Sequence, residues 1–463
     1  MLRPPRMPAP ALAPLLVVAL LASGAGCGGG GGDGAGLRGV LLVSIDTLRP
    51  DQLGAYGYPR PTSPHLDALA SDGVVFEQAT SVAPWTLPAH ATLLTGLLPH
   101  HHGVRTVDQR LSSAGDTLAR RLGQAGFRTA AIVNSIYVGR RNGLDAGFIT
   151  FQELPEPGRA PSGVAEKALA WLGAHQRDPA PFFLFLHLYD VHSDYQAMPA
   201  FEQAFARPYQ GPVDGSTAQL RRAMQGGLVL RRADRRRLVD LYDAGVAQTD
   251  AELGRVLAWL DERGLRSRVL VVVTSDHGEE FLEHGGVLHA RTHYDELLRV
   301  PLVFAGPGVP AGRRIAEPVS IADVAPTILA LAGVPAPEMD GRDLAALWRD
   351  AAGAPDEAGE ERFVVAEGDH GGAENDTLRS IRGARWKLIH DRETGRAELY
   401  DLVADPGEKN DLAERRPELR DELLARLDAL TAPTMGAAPA EAAESLSPEE
   451  AERLRALGYA VSP

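Results

Sequence analysis

Two carboxylates, an imidazole and a hydroxyl stand where apolar runs of this chain give way to loops: Asp46, Asp276, His277 and Thr86. Together they make a mixed oxygen and nitrogen donor set for a divalent ion, and the imidazole favours zinc or manganese over calcium. An ion there lowers the pKa of the Thr86 hydroxyl and holds it against a phosphorus or sulfur centre, the requirement for a metal-activated nucleophile. Asp190, His192 and His289 form a second group. It can hold another ion about 4 Å from the first or protonate the leaving oxygen, so one or two ions are expected. Asp194 competes with His192 for that role. His90 follows Thr86 by four residues, shares its helix face and is a candidate substrate contact, as is Asn134 at the end of another apolar run.

The elements that must position these residues follow from the apolar pattern. Residues 39–45 (GVLLVSI), 127–133, 181–188, 269–274 and 301–305 read as strands buried on both faces, and Asp46, Asn134, Tyr189 and Ser275 follow the first four. Residues 62–76, 116–125, 162–174 and 238–263 have helical spacing. Strands alternating with helices predict an α/β fold, a large mainly parallel sheet sandwiched by helices, whose ligands gather beyond the carboxyl ends of the strands. In the stretch APWTLPAHATLLTG, Thr86 reads as the N-cap of a helix with Pro88 in its first turn, and the free N–H groups of that turn face an incoming anion. Residues 201–237 read as a surface excursion. Beyond 360, short strand-like runs at 362–366, 377–381, 385–390 and 397–402 and an amphipathic helix at 418–430 predict a small C-terminal α+β subdomain. The expected organisation is a leader at 1–26, a Gly-rich tether at 27–38, a catalytic domain at 39–355, the subdomain at 356–431, and a linker with a closing helix at 432–463.

The chain has 463 residues, 44% hydrophobic and 23% charged, with a formal net charge of −14. That balance argues against a nucleic-acid partner, since the only dense basic run, Arg231 to Arg237, reads as a solvated helix face. Residues 1–26 carry Arg3 and Arg6 ahead of an apolar core at 11–22, the pattern of an export signal too short to span a bilayer. Cys27, the single cysteine, follows Ser23, Gly24, Ala25 and Gly26. This resembles a bacterial lipoprotein signal with Cys27 as the acylated residue, and implies an exported, membrane-anchored protein of the cell envelope, or a periplasmic one without acylation.

The segments SIDTLRPDQLGAYGY (44–58), TLPAHATLLTGLLPHHHGV (86–104), LYDVH (188–192) and TSDHGEEFLEHGG (274–286) resemble the sulfatase-like branch of the alkaline phosphatase superfamily, as do YDELLRVPLV (294–303), ELYDLVADPGEKNDLA (398–413) and LRALGY (454–459) downstream. The resemblance implies an alkaline phosphatase-like sheet with a smaller C-terminal one, and turnover of phosphate or sulfate esters through a covalent intermediate. It matches Asp46, Asp276 and His277 to metal-ligand positions, Thr86 to the nucleophile and His289 to a metal- or substrate-binding position. Sulfatases resemble each other in a C-x-P-x-R signature whose cysteine becomes formylglycine; here Thr86, Pro88 and His90 stand at those places, and Thr47 replaces the second aspartate of the usual pair. Threonine cannot become formylglycine, so the expected activity is hydrolysis of phosphate or sulfate esters by a threonine. The alternatives are transfer of a phosphoethanolamine- or phosphoglycerol-type group in the envelope, and anion binding without turnover.

Overall fold

The computed structural model describes residues 36–155, 161–349, 361–368, 377–432, 440–448 and 451–452. The expected leader with Cys27, and most of the expected closing helix, lie outside the described residues.

The centre of the fold is the strand the apolar run predicts, β1 (Gly39–Ile45), every residue of which is buried. Its alternating side chains enter two separate cores. Val40 and Leu42 point to one and Leu41 and Val43 to the other, as the period of two requires. The remaining strands of this sheet are β2 (Gly73–Thr80), β3 (Arg128–Val133), β4 (Thr150–Glu153), β5 (Phe182–Leu188), β6 (Val269–Thr274), β7 (Arg299–Ala305), β8 (Arg313–Ile315) and β9 (Val319–Ser320). They run in the order β8-β2-β7-β6-β1-β5-β3-β4, with β9 also on β2. Only β7 is antiparallel to its neighbours; the pairings of β1 with β5 and β6 are parallel.

Helices cover both faces. α1 (Pro64–Ser71) precedes β2, and α2 (Thr86–Thr95) and α3 (Leu118–Gln124) follow it; α4 (Val164–His175), α5 (Arg232–Glu262) and α6 (Val324–Leu331) come later in the chain. Leu93, Leu118, Leu122, Ile328 and Leu329 place α2, α3 and α6 on the Leu42 face, while Leu66, Leu69, Trp171, Leu241 and Leu257 place α1, α4 and α5 on the Val43 face.

A second sheet of four antiparallel strands, β10 (Val364–Glu367), β11 (Leu378–Arg382), β12 (Trp386–Asp391) and β13 (Ala397–Asp401), is backed by α7 (Pro417–Leu430), whose Leu423 and Leu427 pack on Ile381 and Leu388. The two sheets are joined by a buried ion cluster. Lys387 Nζ on β12 lies 2.8 Å from Asp295 Oδ1 and 2.7 Å from Glu408 Oε1 with its side chain fully buried, and Arg382 reaches the other Asp295 oxygen at 3.2 Å.

One expectation is corrected, and two segments gain detail. The helical reading of 62–76 ends at Ser71, because β2 begins at Gly73, where a Cβ would come within 2.0 Å of Phe304 O on β7. Val74, Val75 and Phe76 then follow the strand preference of branched and aromatic side chains. The surface excursion at 201–237 is folded: it holds helices Pro199–Phe205 and Thr217–Met224, and α5 starts at Arg232, where Asp234 Oδ2 accepts from Arg231 N at 2.7 Å and so caps the first turn. Within the linker reading, Glu441–Ala442 pairs with Gln109–Arg110.

The buried cluster gives a direct test. Lys387→Met leaves Asp295 and Glu408 without their shared cation in a dry contact, and is expected to lower unfolding free energy by about 3–5 kcal/mol in urea denaturation. A change below 1 kcal/mol rejects this role.

Candidate active site

Strand register builds the site. Ser44 of β1 sits level with His187 of β5 and with Thr274 of β6. Two residues beyond Ser44 and Thr274, at the carboxyl ends of adjacent parallel strands, Asp46 and Asp276 leave the sheet on its Leu42 face, both with no solvent exposure. His277 follows. Its Nδ1 lies 2.9 Å from Gly278 O, so that N–H donates to the carbonyl and Nε2 is left as an acceptor. Nε2 is 3.3 Å from Asp276 Oδ2, 3.8 Å from Asp46 Oδ1 and 3.4 Å from Thr86 Oγ1. Donor atoms of Asp46, Asp276 and His277 all lie within 4.8 Å of one another.

The loops are braced. Ser275 Oγ accepts from Leu48 N at 2.9 Å and donates to His277 O at 2.7 Å. Tyr242 OH donates to Thr47 O and accepts from Arg49 N. These bonds hold Thr47 at a φ of 56°, where its N–H donates to Asp276 Oδ1 at 3.3 Å.

Thr86 is the first residue of α2. The N-cap is Trp85, in extended conformation, so the reading of Thr86 as the cap is corrected by one position. The consequence is that the Thr86 hydroxyl is not spent on its own helix and faces His277 instead. All ten residues of α2 are buried, and Ser81 Oγ, just ahead of the helix, hydrogen-bonds to Asp276 O, tying the loop before Thr86 to the end of the strand that carries Asp276.

Burial opposes ionisation of Asp276, but the His277, His90 and His187 imidazoles outweigh it and hold the carboxyl at about 2. His277 shows the reciprocal effect: burial lowers it, and Asp276 and Asp46 raise it above the ordinary value. His90 and His187 are brought down to about 4, chiefly by burial.

The remaining expected residues divide. The rings of His192 and His289 join the site, 4.9 Å apart, with His289 4.5 Å from His277. Burial lowers His192 to about 3, and its Nδ1 lies 2.6 Å from Ser193 O. Asp190 does not complete a group with them. Its Oδ1 accepts from Ser162 N and Gln248 Nε2, both at 3.0 Å, in the turn that follows β5, while Tyr189 OH lies 3.2 Å from His192 Nε2. Asp194 likewise accepts from Thr217 N. His90 is no surface contact for substrate: it is fully buried, with Nδ1 2.8 Å from Thr86 O and Nε2 3.0 Å from Ser44 Oγ, because the four-residue spacing turns its ring under the helix towards the sheet. Asn134 is buried at the end of β3, and both atoms of its amide are without a hydrogen-bond partner among the described residues.

Two residues escaped the sequence reading. Glu279, fully buried and pushed up to about 7 by burial, accepts at 2.9 Å from His289 Nδ1 and orients that ring. His187 sits among the donors of the site. Its signal was available: in FFLFLHL, Phe183, Phe185 and His187 share one face of β5, and the last is polar at an apolar position.

A family model described as Sulfatase matches residues 38–334, and one described as N-sulphoglucosamine sulphohydrolase, C-terminal, matches residues 283–432. The chain is 28% identical over 431 residues to an ulvan-active sulfatase of Formosa agariphila, covering 84% of this chain and 80% of that one. Its fold is shared with a solved structure in complex with its substrate D-glucosamine-2-N,6-O-disulfate (TM-score 0.72, 21% identity, 85% of this chain and 98% of that one). It is shared equally with the phosphonate monoester hydrolase of Agrobacterium radiobacter (TM-score 0.69, 23% identity, 85% and 95%). These likenesses give the architecture as alkaline phosphatase-like.

Gly278 tests the rigidity of the loop that carries two donors. Its N–H donates to Leu297 O at 2.7 Å, and a Cβ there would fall 2.0 Å from Glu296 O. Gly278→Ala is expected to cost about 1–3 kcal/mol through overpacking, read as a lowered melting temperature; an unchanged melt rejects the tight approach.

Proposed function

We propose, for a chain that belongs to the sulfatase family and is an ester hydrolase, that it cleaves an anionic sulfate or phosphate ester with Thr86 as the nucleophile. The observation that carries this reading is the Thr86 hydroxyl at 3.4 Å from His277 Nε2, beside the Asp46, Asp276 and His277 donor group. The donor set fits a divalent ion, since Asp276 Oδ2 is buried with no hydrogen-bond partner among the described residues. Two carboxylates with an imidazole suit zinc or manganese better than calcium. Bound there, the ion supplies positive charge that lowers the Thr86 hydroxyl pKa and offsets the charge of the ester.

The chain's own residues do the rest. Free N–H groups in the first turn of α2 face the ester oxygens. Thr86 Oγ1 attacks the sulfur or phosphorus atom, the bond to the leaving alcohol breaks, and the acid group is carried on threonine until water removes it. The proton that leaves Thr86 is taken up by His289, whose Nδ1–H is held by Glu279 so that Nε2 is the accepting nitrogen, and is handed on to the leaving oxygen beside the His192 ring. A sulfate ester on a sugar is supported by the ulvan-active relative and by the sulfated glucosamine of the structural neighbour. A phosphate ester is the second reading, and Thr86 itself favours it, because no formylglycine can arise at that position. An alcohol in place of water turns the same covalent step into transfer.

The export signal and Cys27 support a lipid-anchored protein outside the cytoplasmic membrane, and no helix among the described residues is long and apolar enough to cross a membrane. Cys27→Ser is then expected to move the protein from the detergent phase to the aqueous phase on Triton X-114 partition; retention in detergent removes acylation at Cys27.

Thr86→Ala is expected to lower kcat/KM by about 10³-fold or more with an unchanged circular dichroism spectrum, measured on an aryl sulfate and an aryl phosphate side by side. The ester turned over by the wild type decides between the two readings. Turnover that survives the substitution rejects Thr86.

A further inference from the structure

One charged surface lies outside the chemistry of Thr86 and its neighbours. Residues 217–237 hold seven arginines against a single acid, Asp234, in a chain whose net charge is −14. That acid is already engaged: it is buried, accepts from Arg231 N as the cap of α5, and accepts from Tyr209 OH. Arg222, Arg231, Arg232 and Arg236 are exposed and make no ion pair among the described residues, whereas Arg207 and Arg60 close by share Asp240. Arg231 and Arg232 open α5, where the positive end of the helix dipole disfavours a cation. Arg236 follows Arg232 by four residues, a like-charge pair that weakens a helix. The fold gains nothing from these charges.

Their position points to a ligand. α5 ends at Glu262 and β6 starts from the amino edge of the sheet at Val269, so the first turn of α5 lies at the carboxyl edge, where Asp46 and Asp276 leave their strands. Arg235 Nε donates to Phe281 O at 2.5 Å, and its guanidinium lies 2.9 Å from Glu283. Phe281 pairs with Val287 in the small hairpin that joins His277 to His289, so one hairpin separates the arginine face from the His289 ring. We infer that this face binds an anionic polysaccharide, and that the ester cleaved at Thr86 is one of several sulfate or phosphate groups along that chain. The inference rests on the ester-hydrolase reading and names the class of its substrate. Arginine's planar fork meets a sulfate or phosphate through two parallel N–H donors, and four such forks offer more anion sites than a single ester group uses. Positive potential beside the site draws a polyanion towards it and fades as salt rises. A bilayer is the poorer occupant. Val229 is the one large apolar side chain exposed in this segment, less than the apolar face that interfacial insertion requires, and the chain enters the fold at Leu37, on the amino edge of β1, away from the arginines.

The test is binding of a polymer probe to the full chain. Fluorescein-labelled dextran sulfate, with uncharged dextran as its control, is titrated by fluorescence anisotropy at rising sodium chloride. The wild type is expected to bind dextran sulfate alone, with an affinity that falls as salt rises. The variant carrying Arg222→Gln, Arg231→Gln, Arg232→Gln and Arg236→Gln is expected to bind about 10-fold more weakly, with aryl ester turnover unchanged and a melting temperature that stays level or rises as the like charges leave the helix. A second variant, Arg140→Gln with Arg255→Gln, Arg263→Gln and Arg396→Gln, removes the same charge from exposed arginines elsewhere and is expected to bind as the wild type does. Arg232→Gln with Arg236→Gln alone, expected to bind about 3-fold more weakly, covers the case in which the fourfold variant does not fold. Equal binding by the wild type and the arginine-face variants overturns the inference and leaves the ester-hydrolase reading standing. So does an equal loss in both fourfold variants, or arginine-dependent binding to phosphatidylglycerol vesicles without binding to dextran sulfate. Arginine-dependent binding of dextran sulfate by a chain that turns over neither an aryl sulfate nor an aryl phosphate overturns the hydrolase reading and supports the polymer-binding face by itself.

Discussion

Asp46 and Asp276 are like charges placed side by side, both without exposure, by the register of two adjacent parallel strands. Two unit charges about 4 Å apart repel by about 4 kcal/mol at an effective dielectric of 20, and burial adds a desolvation cost to each. Neither residue is removed from this position by the fold, since the strands that carry them are the centre of both cores. The repulsion has to be met locally by positive charge. His277, raised above its ordinary value by the two carboxylates, meets part of it, and a divalent ion is the compact way to finish the neutralisation.

The architecture around this pair is concerned with rigidity. Thr86 sits on a fully buried helix, and the loop ahead of it is tied through Ser81 to the carbonyl of Asp276. Thr47 is held with a positive φ by Tyr242, a residue of the long helix on the far face of the sheet, so both layers of helices fix the same three loops. The second sheet contributes through Asp295, which lies between the His289 loop and β7 and is neutralised by Lys387 and Arg382 from β11 and β12. Holding the site to within a fraction of an ångström is what positioned catalysis requires.

The apolar runs made β1 and β6 readable to the residue, because a strand buried on both faces leaves a continuous signature and its end is marked by an aspartate. β2 was hidden. It follows a helix after a single residue, and its identity depends on antiparallel pairing with β7, more than 200 residues away, which local periodicity does not carry. The same limit separates the site residues. Asp46, Asp276, His277 and Thr86 lie next to element boundaries and were legible. His90 and Asp190 were visible as residues, but the face each turns to is settled by packing: the helix phase sends His90 inward, and the turn after β5 sends Asp190 to Gln248. Glu279 reads as one more charge in an acidic loop until the fold closes it against His289.

Three histidine rings run outward from the carboxylates, His277 to His289 to His192, each within 5 Å of the next. On the proposed reading, an ester bound with its acid group at Thr86 has these imidazoles beside it. A permanently charged cation at that place would bind the ester in ground state and transition state alike, and uniform binding does not accelerate the chemical step. His192, held low by burial, and His289, oriented by the Glu279 carboxyl, instead offer groups whose charge can change during the step. On the proposed reading of Thr86 as nucleophile, which lacks the hydrated aldehyde of formylglycine, the burden of leaving-group departure would fall on His192 and His289.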